Sequence, residues 1–208
     1  MFSLQTIFGS GKQFYTLLDD AALAAHDSTK ALHEILKSPA RTSGLDAIKL
    51  ARQREREVSN RISQALVDSF ITPIEREDLE ALRLALYKIP KEAERFADRY
   101  ALAAHRLDGI DFTSRAAMLE QGAGIVVDMV KELPRLRLEP IKALNDRLHM
   151  LETEADRLLL ELYRDIYSGR LDANQISLHK EFFEVMEQAI DRCDEAGVVV
   201  YQIALKNS

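Results

Sequence analysis

The chain reads as all-α: an elongated helical bundle of six helices, arranged as two tandem three-helix repeats. Three observations predict this. Ala, Leu, Glu, Arg and Lys are abundant in a 208-residue chain that is 47% hydrophobic, 30% charged and only 7% aromatic, with no Trp, which is the usage of amphipathic helices. Turn-forming residues gather in five short stretches, SPARTSG (38–44), TP (72–73), LDGID (107–111), PRLRLEP (134–140) and SGRLDA (168–173), leaving six segments between them. Within the segments, apolar residues recur in alternating steps of four and three, the rhythm of helices packed along a seam.

The first segment opens with MFSLQTIFGSGK and carries its apolar residues through Leu32 and Ile35. In the second, ARQREREVSNR (51–61) mixes charges of both signs at helical spacing and reads as a solvated face, with Ile62 and Leu66 on the apolar side. The third starts at TPIERED, where Thr72 is placed to cap, Pro73 takes the first helical position and Glu75 closes a capping box. Glu75, Glu77 and Asp78 would complement the positive end of that helix dipole. Its seam is Leu82, Leu86, Ile89, Ala93, Phe96 and Tyr100, and Pro90 within it predicts a kink. The fourth segment runs from Phe112 through Val130 to Leu133. The fifth has Leu144, Leu148, Leu151, Ala155, Leu158 and Leu162, and the sixth Phe182, Met186, Ala189, Cys193, Ala196 and Val200. Helices of roughly 25–30 residues would be about 40–45 Å long.

The segments also match one another. Adding 100 carries each seam position of the third onto one of the sixth; adding 96 carries Ile62 and Leu66 onto Leu158 and Leu162. An offset of 98 pairs Phe14 with Phe112, Leu32 with Val130 and Ile35 with Leu133. Three nearly equal offsets indicate an internal duplication. We therefore expect one domain, 1–208, with repeats at about 10–106 and 110–206.

The net charge of −6 argues against a nucleic-acid partner. The single Cys193 excludes an internal disulfide framework. No positive charge precedes Lys12, which makes a poor secretory signal, and the apolar run AGVVVYQIAL (196–205) is about half the length needed to span a bilayer. A soluble cytoplasmic chain is the expectation. There is no Gly-rich phosphate loop, no GxSxG and no CxxC. Glu-x-x-His pairs of a di-iron bundle are missing as well, since His149 precedes Glu152 in the reverse order.

The candidate chemistry lies in the acids. Residues four apart share a helix face, so Glu152 pairs with Asp156, and Glu187 with Asp191, extended by Asp194 one turn on with Glu195 beside it. Both sets sit one residue past a seam position and border the interior. Carboxylates converging from two helices repel unless protonated or bound to cations, and hard oxygen ligands suit Mg, Ca, Mn or iron. The same acids also read as the wet edge of two ordinary helices, because i,i+4 acid pairs arise by chance among 34 Asp and Glu. Arg157 and Arg192 are close enough in sequence to neutralise some of them. In the first repeat the matching positions hold Arg56, Asn60, Tyr87 and Lys91, so a metal site would belong to the second repeat alone.

Two stretches carry a family resemblance. MFSLQTIFGSGKQFYTLLDDAALAA leads aromatics into an amphipathic helix, and DSFITPIEREDLEAL places Phe-x-Thr-Pro-Ile-acid-Arg-Glu-Asp between the second and third helices. With the duplicated three-helix pattern, the whole chain resembles the PhoU-like family, in its Pit accessory branch of phosphate transport regulators. The resemblance implies the six-helix fold and, on two helices of each repeat, acid-x-x-x-Asp motifs that bind multinuclear clusters of iron or other metals. Those motifs carry over to Glu152, Asp156, Glu187 and Asp191, with Asp194 adjoining, and fail at Arg56, Asn60, Tyr87 and Lys91. It also implies a non-enzymatic cytoplasmic regulator of inorganic phosphate transport. Such a protein would partner a Pit-type phosphate permease at the inner face of the membrane and form a homo-oligomer. The alternatives are a structural helical oligomer, or a metal-dependent hydrolase using the second-repeat carboxylates.

Overall fold

A computed structural model describes residues 4–37, 45–107 and 110–208, with side chains from residue 11 onward. It contains six α-helices and no strand among the described residues: α1 Leu4–Lys37, α2 Leu45–Asp68, α3 Arg76–Ala103, α4 Thr113–Glu132, α5 Leu138–Ile166 and α6 Ala173–Asn207. Short 3-10 turns follow α3 (Ala104–Arg106) and α4 (Leu133–Arg135). The all-α expectation and the helix count hold.

The apolar seams dictate the packing. Every seam residue of α3 and α6 is buried. In the centre, α1 lies on α4 and α3 on α6, closed by α1 on α3 and α4 on α6. The flanking helices cover opposite sides of these four, α2 against α1 and α3, α5 against α4 and α6. A flanking helix is covered on one side only, so in α5 Leu148 and Ala155 are buried while Leu144, Leu151, Leu158 and Leu162 stay half-buried. At one end of the core, Phe96, Phe112 and Phe182 meet edge-on or tilted, with centroids 5.4 to 6.0 Å apart, and Phe183 tilts on Phe112 at 4.7 Å. Such pairs add about 0.5–1.5 kcal/mol each beyond area burial. Cys193 is buried in the α6 seam, where burial pushes its thiol up and leaves it inert.

The turns depart from expectation in instructive ways. Helix α3 begins at Arg76, so Thr72 does not cap it and Pro73 precedes it; Glu75, at the N-cap, makes no capping hydrogen bond through its side chain. The capping box predicted there does not form because the junction is closed from elsewhere. The Arg76 guanidinium donates back to the Leu66 and Ser69 carbonyls at the end of α2, satisfying acceptors a helix terminus otherwise leaves unpaired. Lys206 of α6 donates to Asp78 at 2.7 Å and to Glu75 at 3.5 Å. A capping box appears instead at α6: Asp172 accepts from the Asn174 and Gln175 amides at 2.8 and 2.9 Å, and Gln175 returns the bond to the Asp172 amide at 3.1 Å.

The break between α4 and α5 turns on Leu136, held left-handed at φ 49°, and Pro140 falls in the first turn of α5, where no amide is needed. Helix α3 runs through the buried Pro90 as a single helix. The stretch SPARTSG lies outside the described residues, as do residues 108–109 of LDGID.

The solvated face expected at 51–61 holds for Gln53, Arg54, Arg56, Glu57, Asn60 and Arg61, which are exposed, and is corrected at three positions. Arg52 and Glu55 are 2% and 0% exposed, and Ser59 is buried with them. They turn inward because α3 offers them partners, described below.

Candidate metal centre

Helices α5 and α6 are joined by a short connection through Gly169 (φ 85°) and lie side by side. Their approach is close: a Cβ on Gly197 would come within 2.5 Å of Leu148 Cδ2. With the seams turned toward the core, the acids bordering them face each other across the groove. Glu152 and Asp156 of α5 and Asp191 of α6 each place a carboxylate oxygen within 4.8 Å of the others. Glu187, one turn from Asp191 on the same helix, lies close enough to Asp191 and Asp156 for their charges to act on it.

Carboxyl groups this close repel unless one of them holds a proton. Burial and then the neighbouring Asp191 push Glu187 up to about 8, so Glu187 is the carboxyl that keeps it near neutrality. Asp191 is raised chiefly by burial, while the proton held on Glu187 pulls the other way. Glu152 is raised by burial, then by the charges of Asp156 and Asp194.

The fifth expected ligand stands slightly apart. Asp194 is raised by burial, and its buried Oδ1 has no hydrogen-bond partner. His149 Nδ1 lies 3.7 Å from that oxygen and 3.7 Å from Glu152 Oε2, too far for a hydrogen bond to either. Sequence order argued against His149, because Glu-x-x-His requires the acid first. The usable signal was its spacing, three residues ahead of Glu152 and thus one turn away on the same face.

The expected neutralising arginines are occupied elsewhere. Arg157 binds Glu154, at 2.7 Å through Nε, and also Glu161. Arg192 binds Glu195, although its charge is still felt at Asp191. Among the described residues, no Lys or Arg pairs with Glu152, Asp156, Glu187 or Asp191. An all-oxygen donor set without an internal cation, bordered by one imidazole and one unpaired buried oxygen, fits a hard metal ion.

The corresponding groove between α2 and α3 is closed by its own cations. The Arg52 guanidinium lies 4.1 Å from the Tyr87 ring centroid, donates to Glu55 at 2.5 Å and reaches Glu94 at 3.3 Å. Arg56 also reaches Glu94 at 3.3 Å, and Arg83 joins Ser59 (2.7 Å) to Glu80 (2.8 Å). Asn60 and Lys91 point to solvent. Glu55 is pushed up to about 7 by burial, against the pull of Arg52, Arg83 and Arg56.

Four core helices with two flanking ones form a six-helix bundle. A PhoU-like protein of Shewanella oneidensis MR-1 superposes with a TM-score of 0.81 at 16% identity, over 93% of this chain and 99% of that one. A second from the same organism, assigned to phosphate regulation, gives 0.80 at 17% identity with the same coverage. In sequence, the chain is 23% identical over 147 residues to UPF0111 protein YkaA of Bacillus subtilis (strain 168), covering 67% of this chain and 68% of that protein. No family model matches. The chain thus has the PhoU-like fold.

Proposed function

We propose that this chain is a non-enzymatic regulator of inorganic phosphate transport, a cytoplasmic partner of a Pit-type permease that holds a metal ion on its second flank. The observation that carries the reading is the PhoU-like superposition over 93% of the chain, joined to a carboxylate set with which no Lys or Arg pairs among the described residues. Glu152, Asp156, Glu187 and Asp191 would hold a hard divalent or iron-type ion, with Asp194 and His149 adjacent. Bound there, the ion would supply the positive charge this groove lacks and tie α5 to α6. An acidic chain of net charge −6 suits a protein partner better than nucleic acid. Met150 and Leu160, exposed on α5, and Tyr167, just past its end, are where self-association of this flank would bury apolar surface.

The test is inorganic phosphate uptake in cells lacking the gene, complemented by wild type or by Asp156→Asn/Asp191→Asn. Deletion should alter uptake, and only wild type should restore it. Rescue by the variant would separate the acids from the regulatory role. Unchanged uptake on deletion would overturn the transport reading.

A further inference from the structure

We propose that the cavity walled by the start of α1, the α2–α3 connection and the end of α4 binds a guanine mononucleotide, its base held at Asp19 and its phosphate at Lys12 and Lys131. The site shares no residue with the acidic groove of α5 and α6. Its test involves neither a permease nor a metal, so it stands or falls apart from the transport reading.

The cavity has a volume of about 680 Å³, within the roughly 300–1,000 Å³ range of small-molecule sites. Ile71, Pro73, Val130 and Pro134 give it apolar walls. Its polar groups distinguish it from a packing defect. Lys12, Tyr15, Asp19 and Lys131 also line it, and among the described residues none of these four side chains has a hydrogen-bond or ion-pair partner. Asp19 Oδ1 is fully buried and still unpaired. Burial pushes the Tyr15 hydroxyl up as well. Buried polar groups and tyrosine hydroxyls are normally satisfied, so a carboxylate and a phenol left open in one cavity point to a molecule that fills it.

The arrangement says what that molecule carries. Lys12 and Lys131 are exposed, whereas Tyr15 and Asp19 are half-buried. On α1, Lys12, Tyr15 and Asp19 follow one another at steps of three and four along a single helix face, which spreads them over about 10 Å. Lys131 joins the lysine end from α4. The occupant therefore has N–H donors at its deep end, an anionic group at its outer end and an apolar body between them. A mononucleotide has its parts in this order, with ribose hydroxyls in the middle to meet Tyr15. Asp19 then selects the base. Guanine presents N1–H and its N2 amine side by side, two donors for the two oxygens of one carboxylate. Adenine sets the N1 acceptor beside its amine and would repel one of those oxygens. The exposed acids of the connection, Asp68, Glu75 and Glu77, are not among the described lining residues, and recognition here is by direct contact, without need of a positive field.

The experiment is isothermal titration calorimetry of the full chain with GMP, AMP, guanosine and inorganic phosphate. Wild type should bind GMP, bind AMP weaker by roughly tenfold or more, and give no heat with phosphate at concentrations that saturate GMP. Asp19→Asn keeps the side chain's shape but turns one acceptor into a donor. It should weaken GMP, strengthen AMP and so reverse the preference, an outcome that loss of structure would not produce. Lys12→Gln/Lys131→Gln should weaken GMP by roughly tenfold and leave guanosine unchanged, with thermal unfolding of both ligand-free variants matching wild type. No GMP binding by wild type would overturn the proposal. So would equal affinity for GMP and AMP, or a preference that Asp19→Asn leaves untouched. Guanosine bound as tightly as GMP would overturn the phosphate end, and phosphate bound as tightly as GMP would overturn the base slot.

Discussion

Along α2 and α3, the buried Glu55 and half-buried Glu94 meet the guanidiniums of Arg52 and Arg56, and Tyr87 closes over Arg52. Along α5 and α6, the sequence-equivalent places of Arg56, Tyr87 and Lys91 hold Glu152, Glu187 and Asp191. There the carboxylates face one another and retain a proton on Glu187. One flank thus carries its counter-charge in the chain, and the other must take it from solution as protons or metal ions. The first should be indifferent to added metal ions and intolerant of mutation. The second should be the reverse.

The largest expected effect breaks the first flank. Arg52→Met leaves Glu55 and Glu94 short of their buried partner, and removing one member of such a pair costs about 3–5 kcal/mol. A urea titration should show that loss, and adding Glu55→Gln should recover part of it. Equal stability of Arg52→Met and wild type would end the comparison.

Next in size is the response to ions. If the acids bind Mn or Mg, a hundredfold excess over Kd should stabilise wild type by about 2.7 kcal/mol, several degrees in Tm. Asp156→Asn/Asp191→Asn should abolish the shift. Inductively coupled plasma analysis of the purified protein would report which ion it retains.

The pH dependence draws on both flanks, since Glu55 is raised in the folded state as well, to about 7. Glu187 is raised in the folded state from its ordinary 4.5 to about 8, so between those values the folded state holds more protons than the unfolded one. Stability of the metal-free protein should then fall as pH rises across that window. Added metal should protect more at pH 8 than at pH 5. A metal-free Tm that rises over this interval would contradict the assignment.

The smallest effect is a gain. Without metal at pH 8, Asp156→Asn/Asp191→Asn should be more stable than wild type by up to roughly 1 kcal/mol, because repulsion is relieved. Calorimetry resolves a change of that size.

The α3 and α6 seams were legible in sequence because their four-and-three spacing admits one buried face. The start of α3 was not, since Thr72, Pro73 and Glu75 satisfy every local rule while Arg76 and Lys206 close the junction through contacts of longer range. Arg52 and Glu55 misled for a related reason: an i,i+3 charge pair has the same spacing whether water or a second helix covers it. For the acids, spacing along each helix was readable. That Glu152 and Asp156 meet Asp191 depends on the register between α5 and α6, which the turn at Gly169 and the close approach at Gly197 determine. His149 was passed over because a motif specifies order along the chain, whereas proximity to Asp194 arises across two helices.

The Arg52 guanidinium, already seated between Glu55 and Glu94, also shapes how the molecule would report concentration. With that flank filled from within, a chain whose acidic flank binds ions would offer one responsive groove instead of two. Its dose curve would be a simple hyperbola with a single half-saturation point, graded over about two decades of ion activity. Any steeper, switch-like rise would have to come from chains acting on one another.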